Sequence, residues 1–316
     1  MATLSVRCGA LALRNPVLSA SGTFGHGLEM EHFAPPGALG GLVSKTVTLK
    51  PRPGNPHPRI AETEVGLLNS IGLENRGIEA YLADVLPGMA GADCAVFTNI
   101  GGERPEEFAE LASRLDGRAE CDALEINLSC PNVQGGKLPF STDPRTAERV
   151  VRLVRDATRK PIFAKLSPNV TDVAEIARAA EAGGADGITA VNTLLGMSVD
   201  WRTGRPGLNT TIGGYSGTGI KPVALRCAFQ CARAVRIPVI GCGGVSKASD
   251  VLEFLVVGCR AVQVGTACFS DPASLARLPG EIAALLDAHG IASVESLIGT
   301  VHSSAAPQVA TRVGAG

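Results

Sequence analysis

The sequence predicts an α/β chain closed into an eight-stranded (β/α)8 barrel, with inserted loops over its C-terminal face. Three observations predict it. Eight short apolar or β-branched segments recur along the 316 residues. Helical patterns separate them. Several of the segments are continuous apolar runs, as expected for parallel strands buried on both faces. Alternating strands and helices imply a parallel sheet, and eight strands imply closure. A doubly wound open sheet is the alternative. An α/β barrel typically needs ~250 residues, so the chain reads as one domain over 1–316, with a tail at Ser303–Gly316 expected to be loose.

The strands are expected at Val17–Ala20, Gly41–Lys45, Ala95–Asn99, Ala123–Leu128, Pro161–Leu166, Gly187–Val191, Pro238–Gly241 and Ala261–Gly265. Helix patterns fill Pro105–Leu115, Asp143–Thr158, Asp172–Ala182, Val223–Ala234 and Lys247–Val257. Ser246 is placed to cap the last of these, and Gly183-Gly184 and Gly258 sit where helix stops belong. Two longer segments, Thr46–Asp93 and Asn192–Lys221, follow the second and sixth strands. Long loops on the C-terminal face of a barrel usually build its site.

Composition narrows the function. Hydrophobic residues make up 45%, enough for a large core, and the net charge is −1 with no basic run. Nucleic acid and anionic membrane surfaces are therefore not expected partners. No stretch approaches the ~20 apolar residues of a membrane span, and the N-terminus lacks a charged start before a long apolar run. The nine cysteines are scattered and odd in number. They read as reduced cytoplasmic thiols without metal-ligand spacing, so no metal site and no iron–sulfur cluster is expected on this chain.

The segment ALEINLSCPNVQGG (123–136) carries the strongest chemical signal. An apolar alternation (Leu124, Ile126, Leu128) ends in a loop holding Asn127, Cys130 and Asn132. A thiol at a strand exit can serve as nucleophile or proton acceptor, and carboxamides can orient a planar polar ligand. A lone cysteine is more often a small buried hydrophobe. Here the context counts: Lys45, Asn99, Asn127, Lys165 and Asn192 all fall at or just past predicted strand ends, which a barrel converges on one mouth. Gly241-Cys242-Gly243-Gly244 follows the seventh strand and Gly265-Thr266 the eighth. Glycines there let backbone N–H groups approach a phosphate, and those two loops are the recurrent phosphate site of such barrels. No strand–GxGxxG–helix unit for a dinucleotide is present.

These residues sit in longer matching stretches: NPVLSASGTFGHG (15–27), SKTVTLKPRPGNPHPR (44–59), LLNSIGLEN (67–75), FTNIGG (97–102), EINLSCPNV (125–133), FAKLSPNV (163–170), VNTLLGM (191–197), GGYSGTGIKPVALR (213–226), IPVIGCGGV (237–245) and VQVGTA (262–267). Over nearly its whole length, from about Leu4 to His302, the chain resembles the dihydroorotate dehydrogenases, most closely the class 1B catalytic subunits. The resemblance implies an FMN-dependent barrel that oxidises dihydroorotate to orotate in pyrimidine (UMP) biosynthesis. By resemblance Cys130 is the catalytic base. Ser21, Lys45, Thr46, Asn99, Asn127, Lys165, Val191, Gly217, Gly243, Gly244, Gly265 and Thr266 are FMN contacts. Lys45, Asn69, Ser70, Ile71, Gly72, Leu73, Asn127, Asn192 and Thr193 form the substrate pocket. Orotate is flat and anionic with amide-like edges, and asparagines can pair with both its donors and its acceptors. Lys165 can stabilise negative charge on the reduced flavin.

Class 2 enzymes use serine as base and carry an N-terminal membrane-associating segment, whereas this chain has Cys130 and no such segment. The loop TVTLKPRPGNPHPR and the stretch NTLLGMSVD resemble class 1B rather than class 1A. Class 1B implies a homodimer docked to a second subunit carrying FAD and an iron–sulfur cluster, a heterotetramer that reduces NAD. The alternatives are a class 1A-like, fumarate-dependent enzyme, another FMN barrel oxidoreductase, and a catalytically silent barrel.

Overall fold

The computed structural model describes residues 1–128 and 140–302. Its centre is a closed parallel barrel of eight strands: β1 (Val17–Ser19), β2 (Gly41–Val43), β3 (Ala95–Ile100), β4 (Ala123–Asn127), β5 (Ile162–Leu166), β6 (Gly187–Ala190), β7 (Val239–Cys242) and β8 (Ala261–Val264). Neighbours in the barrel are neighbours in sequence, and β8 closes onto β1 through Val262↔Val17, Gln263↔Leu18 and Val264↔Ser19. The eight expected strands are thus the observed ones, shifted at their ends by a residue or two. Every residue of β2, β4, β5, β6, β7 and β8 is buried, because helices cover the outside and side chains fill the inside. Phe97 and Phe163 meet edge to face inside it, ring centroids 5.3 Å apart. The Phe163 ring lies so close to β6 that a Cβ on Gly187 would come within 2.3 Å of it.

The outer helices include α1 (Pro105–Asp116), α2 (Pro144–Ala157), α3 (Val173–Ala182), α4 (Lys221–Ala234), α5 (Ala248–Val256) and α6 (Ser274–Ala288). Each buries one stripe. In α1 it is Phe108, Leu111, Ala112 and Leu115, at the spacing of a 3.6-residue period. Asp143 caps α2 by accepting from Thr146 N at 2.9 Å, and Asp172 caps α3 through Ala174 N at 2.9 Å. Such caps contribute about 1 kcal/mol each. Ser246 does not cap α5 as expected. Its hydroxyl donates to Asp250 at 3.1 Å, and Asp250 instead reaches back to accept from the Ser246 and Lys247 N–H groups. The turnover at the other helix ends is as expected, with Gly184 and Gly258 in the left-handed region.

The two long inserts fold together. Ile60–Thr63 and Gly66–Asn69 come from the first, Leu194–Met197 and Ile212–Ser216 from the second. They make one four-stranded antiparallel sheet, joined across the inserts by Gly214↔Asn69, Tyr215↔Leu68 and Ser216↔Leu67. A hairpin of Val6–Cys8 and Leu11–Leu13 precedes the barrel. Among the described residues no helix is long and apolar enough to cross a membrane. The tail Ser303–Gly316 lies outside the described residues.

Candidate active site

The C-terminal strand ends and the insert sheet enclose a cavity of about 920 Å3. That is at the upper end of the range for small-molecule pockets. Its walls bring together residues far apart in sequence. Ser21 follows β1, Lys45 and Thr46 follow β2, and Asn127 and Lys165 come from β4 and β5. Val191, Asn192 and Thr193 follow β6, Gly243 and Gly244 follow β7, and Gly265 and Thr266 follow β8. The insert sheet and its flanking loops add Asn69, Ile71, Gly72, Leu73 and Gly217.

Two expected contacts are set back from this cavity. Asn99 belongs to β3, which runs one residue further than expected, so its side chain turns inward below the mouth. It is fully buried, and its Nδ2 donates to Glu125 Oε1 at 2.7 Å. Ser70 is also fully buried, its Oγ accepting from Asn55 Nδ2 at 2.9 Å. Cys130 lies outside the described residues.

One side of the cavity is a glycine cradle. Gly243 and Gly244 have φ of 126° and 77°, which favour glycine. A Cβ on Gly244 would stand 2.5 Å from Lys221 N, and one on Gly243 would stand 2.7 Å from the Ala224 Cβ. Only a bare backbone fits between the turn and the start of α4. Thr266 Oγ1 donates to Ser216 Oγ at 2.8 Å, tying the β8 loop to the insert sheet. Such a turn presents N–H groups to an anion.

The other side is lined by carboxamides. Asn192 Nδ2 donates to Asn127 Oδ1 at 3.4 Å, and Asn127 Nδ2 to Thr46 Oγ1 at 3.4 Å. Asn69 Nδ2 donates to Gly214 O at 3.2 Å across the sheet. Residues 70–73 are shaped by Asn55, whose N donates to Ile71 O at 2.9 Å, and by Asn75, whose Nδ2 donates to Leu73 O at 2.7 Å. Asn169 holds the β6 loop, donating to Thr193 O at 3.0 Å and accepting from Leu195 N at 2.8 Å.

Lys45 and Arg59 bring positive charge to this wall. Arg59 pairs with Glu74 at 2.5 Å. Burial pulls the Lys45 ammonium below the ordinary lysine value; Glu74 opposes this and Arg59 adds to it. At the floor, Lys165 is buried, its Nζ donating to Gln263 Oε1 at 2.8 Å and Ser21 Oγ at 3.3 Å. Burial alone would depress it, but Cys242 and the Glu125 carboxylate hold it above the ordinary lysine value.

Sequence reasoning missed Arg59, Asn55, Asn75, Asn169, Glu125 and Gln263. The signal for the last two was present: a charged and an amide residue inside the otherwise apolar runs ALEIN and AVQV.

Residues 3–286 match the family model described as Dihydroorotate dehydrogenase. A protein of Trichlorobacter lovleyi named Dihydroorotate dehydrogenase B (NAD(+)), catalytic subunit, is 49% identical over 298 residues, which cover 94% of this chain and 98% of that protein. A Geobacter sulfurreducens protein of the same name is 48% identical over the same shares. The solved structure of an Eimeria tenella DHODH in complex with ferulenol superposes with a TM-score of 0.80 over 94% of this chain and 88% of that one. At 24% identity it speaks for the fold alone. With its barrel, its cavity and these matches, the chain belongs to the dihydroorotate dehydrogenase family.

Proposed function

We propose that this chain is the catalytic subunit of an NAD-linked dihydroorotate dehydrogenase, oxidising dihydroorotate to orotate in pyrimidine biosynthesis. The observation that carries the reading is one cavity with a glycine cradle and a buried lysine on one side and three asparagines with Lys45 on the other. The curated relatives' printed name supports it.

FMN fits the residues present. The Gly243-Gly244 turn has no room for side chains and leaves its backbone open to a phosphate. Gly265 and Thr266 stand beside it. Ser21, Thr46, Val191 and Gly217 line the space between, with Asn127 and Lys165 at its floor. Asn99 Oδ1, set back behind this lining, is buried with no partner among the described residues. The chemistry that FMN supplies when bound is acceptance of a hydride from carbon 6 of the substrate.

The chain's own residues do the rest. Lys45 and the backbone N–H groups of residues 71–73 meet the substrate carboxylate. Asn69, Asn127 and Asn192 read the donors and acceptors of its ring, and Thr193 closes that edge. Cys130 takes the proton from carbon 5. Lys165 offsets the charge that electrons bring to the ring.

Electrons leave through a partner subunit bearing FAD and an iron–sulfur cluster, with two copies of this chain at the centre of a heterotetramer. Exposed Leu195, Met197 and Ile212 on the insert sheet and Trp201 beside it offer an apolar face for assembly. The test is direct. The purified chain should be yellow, and anaerobic dihydroorotate should bleach it. A folded, colourless preparation that FMN cannot reconstitute rejects the reading.

A further inference from the structure

We propose that Glu125 is a positioning residue for the reaction: from inside the barrel it holds the Lys165 side chain at the cavity floor as a cation. The proposal rests on the flavin reading above, because the charge it maintains is the one offered to the bound ring.

The geometry is a closed polar network at the barrel axis. Strand β4 delivers Glu125 there with no exposure to solvent. Its carboxylate accepts from Asn99 Nδ2 at 2.7 Å, from Thr189 Oγ1 at 2.9 Å and from Gln263 Nε2. Lys165 Nζ lies 3.5 Å from Glu125 Oε1. Gln263 spans the two, its amide donating to the carboxylate while its oxygen accepts from the ammonium. Four strands besides β4 thus contribute to one arrangement: β3, β5, β6 and β8. Lys165 lines the cavity; Glu125 does not. Of the residues that line the cavity, Lys165 is the one paired with Glu125.

Stability does not account for this pair. Removing a carboxylate and an ammonium from water is costly, and a well-packed apolar replacement of a buried pair is often neutral or stabilising. Its effect on the site is clearer. A lysine buried without a counter-charge sheds its proton. The titratable groups facing Lys165 among the described residues are Glu125 on β4 and Cys242 on β7. Burial pushes the Cys242 thiol up against the pull of Lys165, so Cys242 holds the ammonium only once it ionises in the alkaline range. Glu125 is then the standing negative charge beside Lys165. With it in place, Lys165 stays charged in both oxidation states of the site and takes no part in proton uptake.

The experiment is the midpoint potential of bound FMN against pH, in the parent and in Glu125→Gln. In the variant Lys165 is expected to lose its proton in the oxidised state and regain it on reduction. The potential should then fall more steeply through the alkaline range, by about one further proton per electron pair, ~30 mV per pH unit for a two-electron couple. Superimposable curves overturn the proposal. In a Lys165→Met background the same Glu125→Gln change should leave the curve where it was; a shift there assigns Glu125 a structural role instead. A second measurement needs no variant. The side-chain resonances of labelled Lys165 in the parent should stay at their charged positions through an alkaline titration. Titration at or below an ordinary lysine value overturns the proposal even if Glu125→Gln does not fold. The resonance can be followed without flavin, so a parent chain that binds no FMN defeats the flavin reading and leaves the Glu125–Lys165 pair separately testable.

Discussion

Lys221 Nζ donates to Asp250 Oδ1 at 2.7 Å, and this ion pair ties the first turn of α4 to the first turn of α5 on either side of Gly243-Gly244. Asp250 also accepts from Ser246 N at 2.9 Å and Lys247 N at 3.1 Å. The glycine turn is therefore clamped from both helices, with Lys221 N directly behind Gly244.

Breaking the clamp should cost stability with a defined pH dependence. Burial works against the Asp250 carboxylate, but the Lys221 ammonium and the Ser246 donors hold it below the ordinary aspartate value. A depressed carboxyl contributes stability above its unfolded pKa of ~3.9 and loses it as pH falls through the lower folded value. Asp250→Asn should lose about 1–3 kcal/mol at neutral pH. The gap between variant and parent, read by chemical denaturation, should close as pH falls below the unfolded value. A gap that is constant with pH removes the charge from the explanation.

The turn itself should tolerate no side chain. Gly244→Ala forces a Cβ against Lys221 N, and Gly243→Val forces a larger group against Ala224 and Ile220. Both are also strained at positive φ. Expected are a folded barrel by circular dichroism and a large fall in FMN occupancy of the purified chain. Parental occupancy in both variants would move the phosphate elsewhere.

The three asparagines should matter singly. Asn69→Ala, Asn127→Ala and Asn192→Ala should each weaken orotate binding by ~1–3 kcal/mol, the cost of leaving a buried polar group unpaired. Asn127→Ala should also loosen the flavin side, since Asn127 joins Thr46 to Asn192. Calorimetric titration with orotate checks this, and unchanged affinity in all three contradicts the pocket assignment.

What the sequence made legible follows from its physics. The barrel strands are local apolar runs such as IFAKL and AVQV, buried on both faces, and local pattern suffices to find them. The insert sheet is built from IAET, GLLN, LLGM and IGGYS, all short and partly exposed, the last three bearing glycine. Its stability comes from pairing Asn69 with Gly214, 145 residues away, and no local pattern records such a partner. The cavity residues at strand ends were legible because barrel topology places strand ends together. Glu125 was not, because the reading of ALEIN followed its apolar alternation and passed over the charge between Leu124 and Ile126. In a closed barrel that charge points at the axis, beside whatever the neighbouring strands place there.

Cys130 lies outside the described residues, so its prediction stands on sequence and chemistry. A thiol is a competent base only when deprotonated, and an unperturbed one has a pKa of ~8.5. Flavin reduction by dihydroorotate should slow as pH falls below the thiol pKa in the complex. Cys130→Ala should lose roughly 100- to 10,000-fold of the reduction rate, the usual range for a general base, while still binding orotate. Cys130→Ser should retain some activity displaced to higher pH. Stopped-flow bleaching measures all three, and near-normal rates in the alanine variant assign the base elsewhere.

The last prediction concerns where the electrons go. Among the described residues no three His, Cys, Asp or Glu side chains are grouped as a metal ion requires, and the sequence offers no dinucleotide fingerprint. On the proposed NAD-linked reading, electrons pass from the cavity to NAD through a second protein. The isolated chain should oxidise dihydroorotate with an artificial dye, reduce NAD poorly, and regain NAD reduction when the flavin–iron–sulfur subunit is added. The exposed apolar side chains of the insert sheet and of Trp201 beside it give the assembly a measurable handle. Trp201→Glu and Met197→Glu place charge on that face without touching the cavity lining. If the face joins copies of this chain, both should shift the oligomer toward the monomer in sedimentation while leaving dye reduction intact. If it joins the electron-transfer subunit, NAD reduction should fall and dye reduction persist. Rapid turnover of fumarate by the isolated chain, with no partner present, is the result that rejects the NAD-linked assignment. It would leave the barrel, the glycine cradle and the asparagine pocket as described, and would require the electron acceptor to enter the same cavity as the substrate.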